Sequence, residues 1–385
     1  MSDAIRANPG GIIDPRNVIG RDKLIGEIWR RLEQQSIILS AERRMGKTTI
    51  INKMQAEAGE KRLPIFHDLE GIKSAVEFVE AIWQDAVTYL SAKGKSTKKF
   101  QDFLRSFKGI EIKGFKIPEM AATQWKTLLT KIIEDLVENQ DGQVIFLWDE
   151  VPYMLDNMSK NKPEEAMELL DVLRMLRQTY DIRMIFTGSI GLHHIVKKLQ
   201  QQGYSNEPTN DMYPVEVTPL TENHAQNLAV KLLRGERIES DNPLEIASEI
   251  AKATNNIPFY IHHLVNDLRF TKNITPEVIE QTLETSFANP QNPWKMEHYR
   301  DRINNYYAED QKPYALKILD LFAEEDSLTF KELWNRLSLN PKFDDEETAR
   351  NILRLLLKDY YLQQKAKSYS FRYPIIKKYW ELLRA

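Results

Sequence analysis

The chain has 385 residues, of which 42% are hydrophobic and 28% charged, with a formal net charge of −3. That length exceeds one ordinary core and predicts two or three domains, while the near-neutral balance excludes a protein basic over its whole surface and leaves local charge asymmetry as the informative quantity. The absence of cysteine excludes disulfides and thiolate metal sites, no apolar run approaches membrane-spanning length, and the first residues lack a hydrophobic leader segment, so a cytoplasmic setting without membrane contact is expected.

Residues 1–17 carry two glycines and two prolines and read as an extended arm. Val18-Ile19-Gly20-Arg21-Asp22 then leads into a helix reaching about Glu33, with Leu24, Ile25, Ile28, Trp29 and Leu32 at amphipathic spacing. Arm, turn and helix either wrap one side of a purine ring, with Ile19 and Gly20 as contacts, or simply pack against a sheet.

Ser36–Ser40 is a short apolar run suited to a buried strand, and Thr49–Lys61 reads as a helix. Between them lies Ala41-Glu42-Arg43-Arg44-Met45-Gly46-Lys47-Thr48. A strand, a turn and Gly-Lys-Thr at a helix start form the context of a phosphate-binding loop. Backbone N–H groups from Glu42 to Thr49 and the positive helix end would cradle the phosphates of ATP or ADP. Lys47 supplies a point charge, and the Thr48 hydroxyl a ligand for Mg²⁺. Ala41 occupies the place of the motif's first glycine. Either the loop entry takes a conformation that an L-residue tolerates or nucleotide binding is weakened. A chance Gly-Lys-Thr at a helix start is the plainer alternative.

Leu63–Phe66 predicts a strand ending in His67-Asp68, followed by a helix from about Val76 to Leu90 with Ser74 as its cap. An insert at 91–118 follows. Its stretch 93–116 holds eight basic residues against Asp102 and Glu111, and Phe107–Ile117 alternates like a hairpin. It either touches DNA or a protein partner, or is a solvated face. After a helix at Gln124–Asn139, the buried-strand run Gln143–Trp148 ends in Asp149-Glu150. Two acids at a strand exit suit a magnesium-phosphate site, Asp149 holding the ion and Glu150 activating the attacking water, although any strand must end in something polar. Pro163–Tyr180 is a helix, and the strand Arg183–Phe186 exits through Thr187-Gly188-Ser189. Thr187 or Ser189 there either senses the γ-phosphate or belongs to a tight turn. His193-His194 read as helix residues, 197–212 as a polar loop and Tyr213–Val217 as a fifth strand. Five strands alternating with helices predict a parallel sheet, with ligands at the carboxyl ends of its strands.

From Thr221 onward the pattern is helical: Glu222–Leu233, Leu244–Thr254, Phe259–Phe270 and Pro276–Ser286, with Thr221 and Thr275 as caps. Tyr314–Phe322, Phe330–Leu337 and Glu346–Lys358 are helices, Tyr360–Lys365 and Tyr369–Arg372 two strands, and Pro374–Leu383 a last helix, the pattern of a winged helix-turn-helix. Residues 1–217 thus form an α/β core with a five-stranded parallel sheet and the insert 91–118. A helical lid at 218–290, a connector at 291–312 and the winged helix at 313–385 complete the chain. Segment 351–385 has eight basic residues against two acids, so DNA contact through 346–372 stays open. Against it, Asp344, Asp345, Glu346 and Glu347 crowd the start of the helix that would enter a groove, and Glu346 can pair with Arg350.

With these residues in view, the chain resembles the STAND-type ATPases of the broad AAA+ group, in the small bacterial and archaeal branch with a Gly-Glu-Arg-Arg-x-Gly-Lys-Thr loop. The resemblance rests on Glu42–Thr48, Asp149-Glu150 and Thr187-Gly188-Ser189. Asn8–Gly11, Val18–Asp22, Thr218-Pro219-Leu220 and Tyr369–Ile376 add softer matches. It implies an ASCE-type P-loop core, lid and winged helix around ATP or ADP with Mg²⁺, working as a slow regulatory ATPase in a defence or toxin-linked system. Nucleotide state would gate a homo-oligomer or a partner protein. It also matches Pro258 to an adenine-side contact, although Asn256-Ile257-Pro258 stands where Gly-x-Pro is usual. No arginine finger can be assigned; Arg43 and Arg44 are candidates by loop position alone. The alternatives are a DNA-binding AAA+ protein similar to replication initiators, or a nucleotide-locked scaffold that hydrolyses poorly.

Overall fold

The structure, a computed structural model, describes residues 4–92, 123–140, 142–188, 191–291 and 293–384. The predicted basic hairpin therefore lies outside the described residues, and so does Ser189. The chain divides into two compact units, one comprising Asp22–Ser40 and Lys47–Val217, the other Met1–Arg21, Ala41–Gly46 and Thr218–Ala385.

The first unit runs α1 (Asp22–Leu32), β1 (Ile37–Ser40), α2 (Lys47–Ala56), β2 (Arg62–Asp68), α3 (Ala75–Ala92), α4 (Trp125–Glu138), β3 (Gln143–Asp149), α5 (Val151–Asn161), α6 (Pro163–Thr179), β4 (Ile182–Thr187), α7 (Leu192–Gln201) and β5 (Tyr213–Glu216). The five strands are parallel in the order β2-β3-β4-β1-β5. All five lie where the apolar runs predicted them, because strands covered by helices on both faces read as continuous hydrophobic stretches. Trp148 anchors the interior, its ring within 6 Å of Phe78, Phe146 and Phe186. β1 and β3 lie on either side of β4, so the loop after β1 and the acids after β3 leave the same edge of the sheet. This is the five-stranded α/β fold of P-loop NTPases. Helix α2 starts at Lys47, two residues before the predicted Thr49, so Lys47 and Thr48 form its first turn. Helix α5 was not legible: Pro152, Asp156, Asn157 and Ser159 break its apolar pattern.

In the second unit the chain continues through α8 (Glu222–Gly235), α9 (Pro243–Ala253), α10 (Pro258–Asp267), α11 (Pro276–Ala288) and α12 (His298–Tyr306). Thr221, Asn242 and Thr275 cap α8, α9 and α11 through side-chain oxygens, and Pro243 and Pro276 sit in first turns where no N–H is needed. The N-terminal arm lies along this bundle. Ile5 N donates to Lys231 O at 3.0 Å, Ala7 N to Glu236 at 2.8 Å and Asn8 N to His262 Nδ1 at 3.1 Å.

The rest of this unit comprises α13 (Gln311–Glu324), β6 (Leu328–Thr329), α14 (Phe330–Leu337), α15 (Glu346–Lys358), β7 (Leu362–Lys365), β8 (Ser368–Phe371) and α16 (Pro374–Arg384). Its three strands pair antiparallel in the order β6-β8-β7, so the two expected strands gain a third partner from Leu328-Thr329. A capping box between Thr329 and Glu332 ends that short strand and starts α14. Among the described residues no helix is long and apolar enough to cross a membrane.

Candidate phosphate-binding site

Within the sheet unit, the Thr48 hydroxyl donates to the Asp149 carboxylate, joining residues 101 positions apart. Asp149 is 4% exposed and also accepts from Glu150 N at 3.0 Å, while its carbonyl accepts from Leu69 N at 3.0 Å. Burial raises its pKa above the ordinary carboxylate value; the Thr48 hydrogen bond and the Lys47 ammonium oppose that rise, and Asp68, alongside on β2, reinforces it. Lys47 and Asp149 therefore feel one another's charge. A hydroxyl and a carboxylate held together at a helix start are hard oxygen donors of the kind that suits Mg²⁺.

Glu150 follows in a left-handed conformation, φ +55°, as the N-cap residue of α5. Across the edge, a Cβ on Gly188 would come within 2.6 Å of Pro152 Cδ and 3.4 Å of a Glu150 carboxylate oxygen. Glycine is required there so that the end of β4 can pass the start of α5. Next to it, Thr187 is 2% exposed, and its hydroxyl has no hydrogen-bond partner. An orphaned buried hydroxyl in a native fold calls for an explanation, such as a ligand.

The loop itself, 41–46, packs within the second unit. Its left-handed residues are Arg44 (φ +74°) and Gly46 (φ +86°), with Met45 between them; Ala41 is not among them. Alternation of this kind turns successive N–H groups toward one point and makes an anion-binding nest. The missing glycine at 41 therefore imposes no backbone strain. Asn256, at the other departure, takes a φ of +59°, a left-handed conformation that asparagine tolerates.

Met45 is fully buried, Thr49 half-buried, and Arg43 donates its N–H to Glu42 Oε1 at 2.7 Å. Glu42 turns inward, 1% exposed, to Arg302 of α12 at 2.5 Å. Arg44 lies over the Phe259 ring at 4.3 Å, next to Pro258, the first residue of α10. Its Nε has no hydrogen-bond partner, and burial, with Arg43 nearby, lowers its pKa. Ile19 is half-buried and Gly20 packs on the His224 ring.

Three residues absent from the predicted set stand out. Arg21, 5% exposed, donates to Met45 O at 2.9 Å and Thr218 O at 2.7 Å, which pins the loop to the segment just ahead of α8. Arg302 binds Glu42. His298 is held neutral by burial, with Nδ1 on Lys295 O at 2.5 Å and Nε2 buried without a partner, and the charges of Arg302, Arg43 and Arg44 add to its depressed pKa. The Val18–Asp22 motif was a signal for Arg21; nothing local marks Arg302 or His298.

Residues 30–196 match the AAA domain family. No curated protein sequence matches the chain significantly. Among solved structures, the Walker-type ATPase PABY2304 of Pyrococcus abyssi superposes with a TM-score of 0.65 at 16% identity, over 97% of this chain and 99% of that one. The Aeropyrum pernix ORC2 protein, in ADPNP–ADP complexes, superposes with a TM-score of 0.59 at 11% identity, over 98% and 95%. At these identities the likeness is one of fold.

Proposed function

We propose that the chain is a Mg²⁺-dependent ATPase of AAA type that works as a nucleotide-gated switch. The observation that carries this reading is the contact between Thr48 and Asp149 in the helix turn that Lys47 opens. In this reading Lys47 and the loop N–H groups hold the β- and γ-phosphates, and Thr48 and Asp149 hold Mg²⁺. The bound nucleotide and ion supply the transferable phosphoryl group and neutralise its charge. Glu150 orients the attacking water and takes its proton, and the Thr187 hydroxyl, with Ser189, reads the γ-phosphate. Pro258, Ile19 and Gly20 face the base. The name of the Pyrococcus relative and the nucleotide complexes of ORC2 are consistent with this chemistry.

Lys47→Ala is expected to weaken ATP binding by about a hundredfold, because a charged phosphate contact is lost. Glu150→Gln is expected to keep ATP and stop phosphate release. Equal ATP affinity in wild type and Lys47→Ala would end the reading. Light scattering with ATP, ADP and no nucleotide tests the switch, which requires a different assembly state in at least one of them. A scaffold that only stores nucleotide is less favoured, since Ala41 takes no left-handed conformation. For the initiator-like alternative, the winged helix would present exposed Lys365 and Lys367 at its β7–β8 turn to DNA.

A further inference from the structure

The phosphate loop is held from the second unit, and the strongest hold is buried. The Glu42 carboxylate receives Arg302 Nη2 at 2.5 Å and Arg43 N at 2.7 Å. Glu42 is 1% and Arg302 8% exposed, so neither charge is solvated by bulk water. Arg302 is also committed on its other side. Its Nη1 donates to Asp359 O at 2.8 Å, at the end of α15, and its guanidinium lies 5.3 Å from the Tyr361 ring centroid. Tyr307 fixes Asp359 by donating to its carboxylate at 2.6 Å, and Tyr361 donates to Tyr299 O at 2.6 Å. One arginine therefore joins loop residue 42, helix α12 and the turn after α15.

We infer that Arg302 is a positioning residue for the phosphate loop: by holding Glu42 it sets the backbone of residues 42–46 for phosphate, and occupancy of the loop is coupled to the α12–α15 contact. The physical reason is the cost of a buried charge without its counterion. If Arg302 withdraws, Glu42 must find water, and the loop must move to let it. The inward carboxylate also keeps a negative charge out of the nest, where it would repel an anion. Coupling is reciprocal, so a phosphate that fixes the loop must also tighten the Arg302–Asp359 contact. This inference rests on the nucleotide reading given above.

The test measures ADP affinity, in Mg²⁺, of the full chain and of Arg302→Lys, Arg302→Gln, Glu42→Gln and the Glu42→Gln/Arg302→Gln pair. Arg384→Ala, which breaks the Asp320 contact elsewhere in the same unit, serves as the control. Each single variant is expected to weaken ADP about tenfold, the double variant no more than the worse single, and the control not at all. In wild type, amide hydrogen exchange in 298–306 and 356–361 is expected to slow when ADP binds, a readout that needs no variant to fold. Wild-type affinity in the Arg302 variants, or unchanged exchange in both segments, would overturn the positioning role while leaving nucleotide binding intact. Failure of the wild type to bind ADP would remove both.

Discussion

Thr187 is where stability and activity are expected to part. Its hydroxyl is buried without a partner, an arrangement that costs about 1–3 kcal/mol. Thr187→Val, which has nearly the same shape, is therefore expected to stabilise the nucleotide-free protein by about 1 kcal/mol in urea unfolding and to slow phosphate release. A destabilised Thr187→Val would show that the hydroxyl is already satisfied. Gly188→Ala should act the other way, since its new methyl would meet Pro152 at 2.6 Å. A loss of about 1–3 kcal/mol is expected, with slowed turnover because the displaced α5 start carries Glu150. At this scale the sequence was legible where local chemistry demands a residue: Lys47, Thr48, Asp149. It was silent on Arg302, whose partners lie 260 and 57 positions away.

Among the elements, strands and capped helices were readable, and the polar helices were not. Helix α12 alternates Arg300, Asp301, Arg302, Asn304 and Asn305 downstream of Pro290 and Pro293, so it looked like a connector although Tyr299 and Ile303 are fully buried. The N-terminal arm likewise showed no periodicity, because three hydrogen bonds to α8, α10 and the residue after α8 hold it in place. One of those bonds makes the second unit acid-sensitive. His262 must be neutral to accept from Asn8, and burial lowers its pKa to about 4. The unfolded chain takes up that proton near the ordinary value of about 6.5, the folded chain only near 4. This contribution is therefore complete above about pH 6.5 and is lost as pH falls, reaching about 2 kcal/mol by pH 5. Urea titrations at pH 7.5 and pH 5 should show a larger loss for wild type than for His262→Gln. Equal losses would mean that protonation of the buried His262 contributes nothing.

For the whole molecule, charge was visible in the sequence but its pairing was not. Two arginines of α15 are matched by its own acids: Arg350 pairs with Glu346 at 2.5 Å and Arg354 with Glu347 at 3.8 Å, while Lys377, Lys378 and Arg384 face Asp326, Glu280 and Asp320. Weak duplex affinity is expected as a result. Glu346→Gln/Glu347→Gln should strengthen binding to duplex and steepen its fall with salt, as measured by fluorescence anisotropy. Affinity unchanged at low salt would place any DNA contact away from α15.

Residues 41–46 assort with the C-terminal part of the chain, whereas the strand before them and the helix after them do not. A fragment trimmed to 1–217 would keep the motif yet lack Thr218, the bundle and the arginine that binds the acid at position 42. Such a piece is not a portable ATP-binding cassette. Grafting the sheet alone onto another protein would carry the spelling of the motif without the clamp that shapes it.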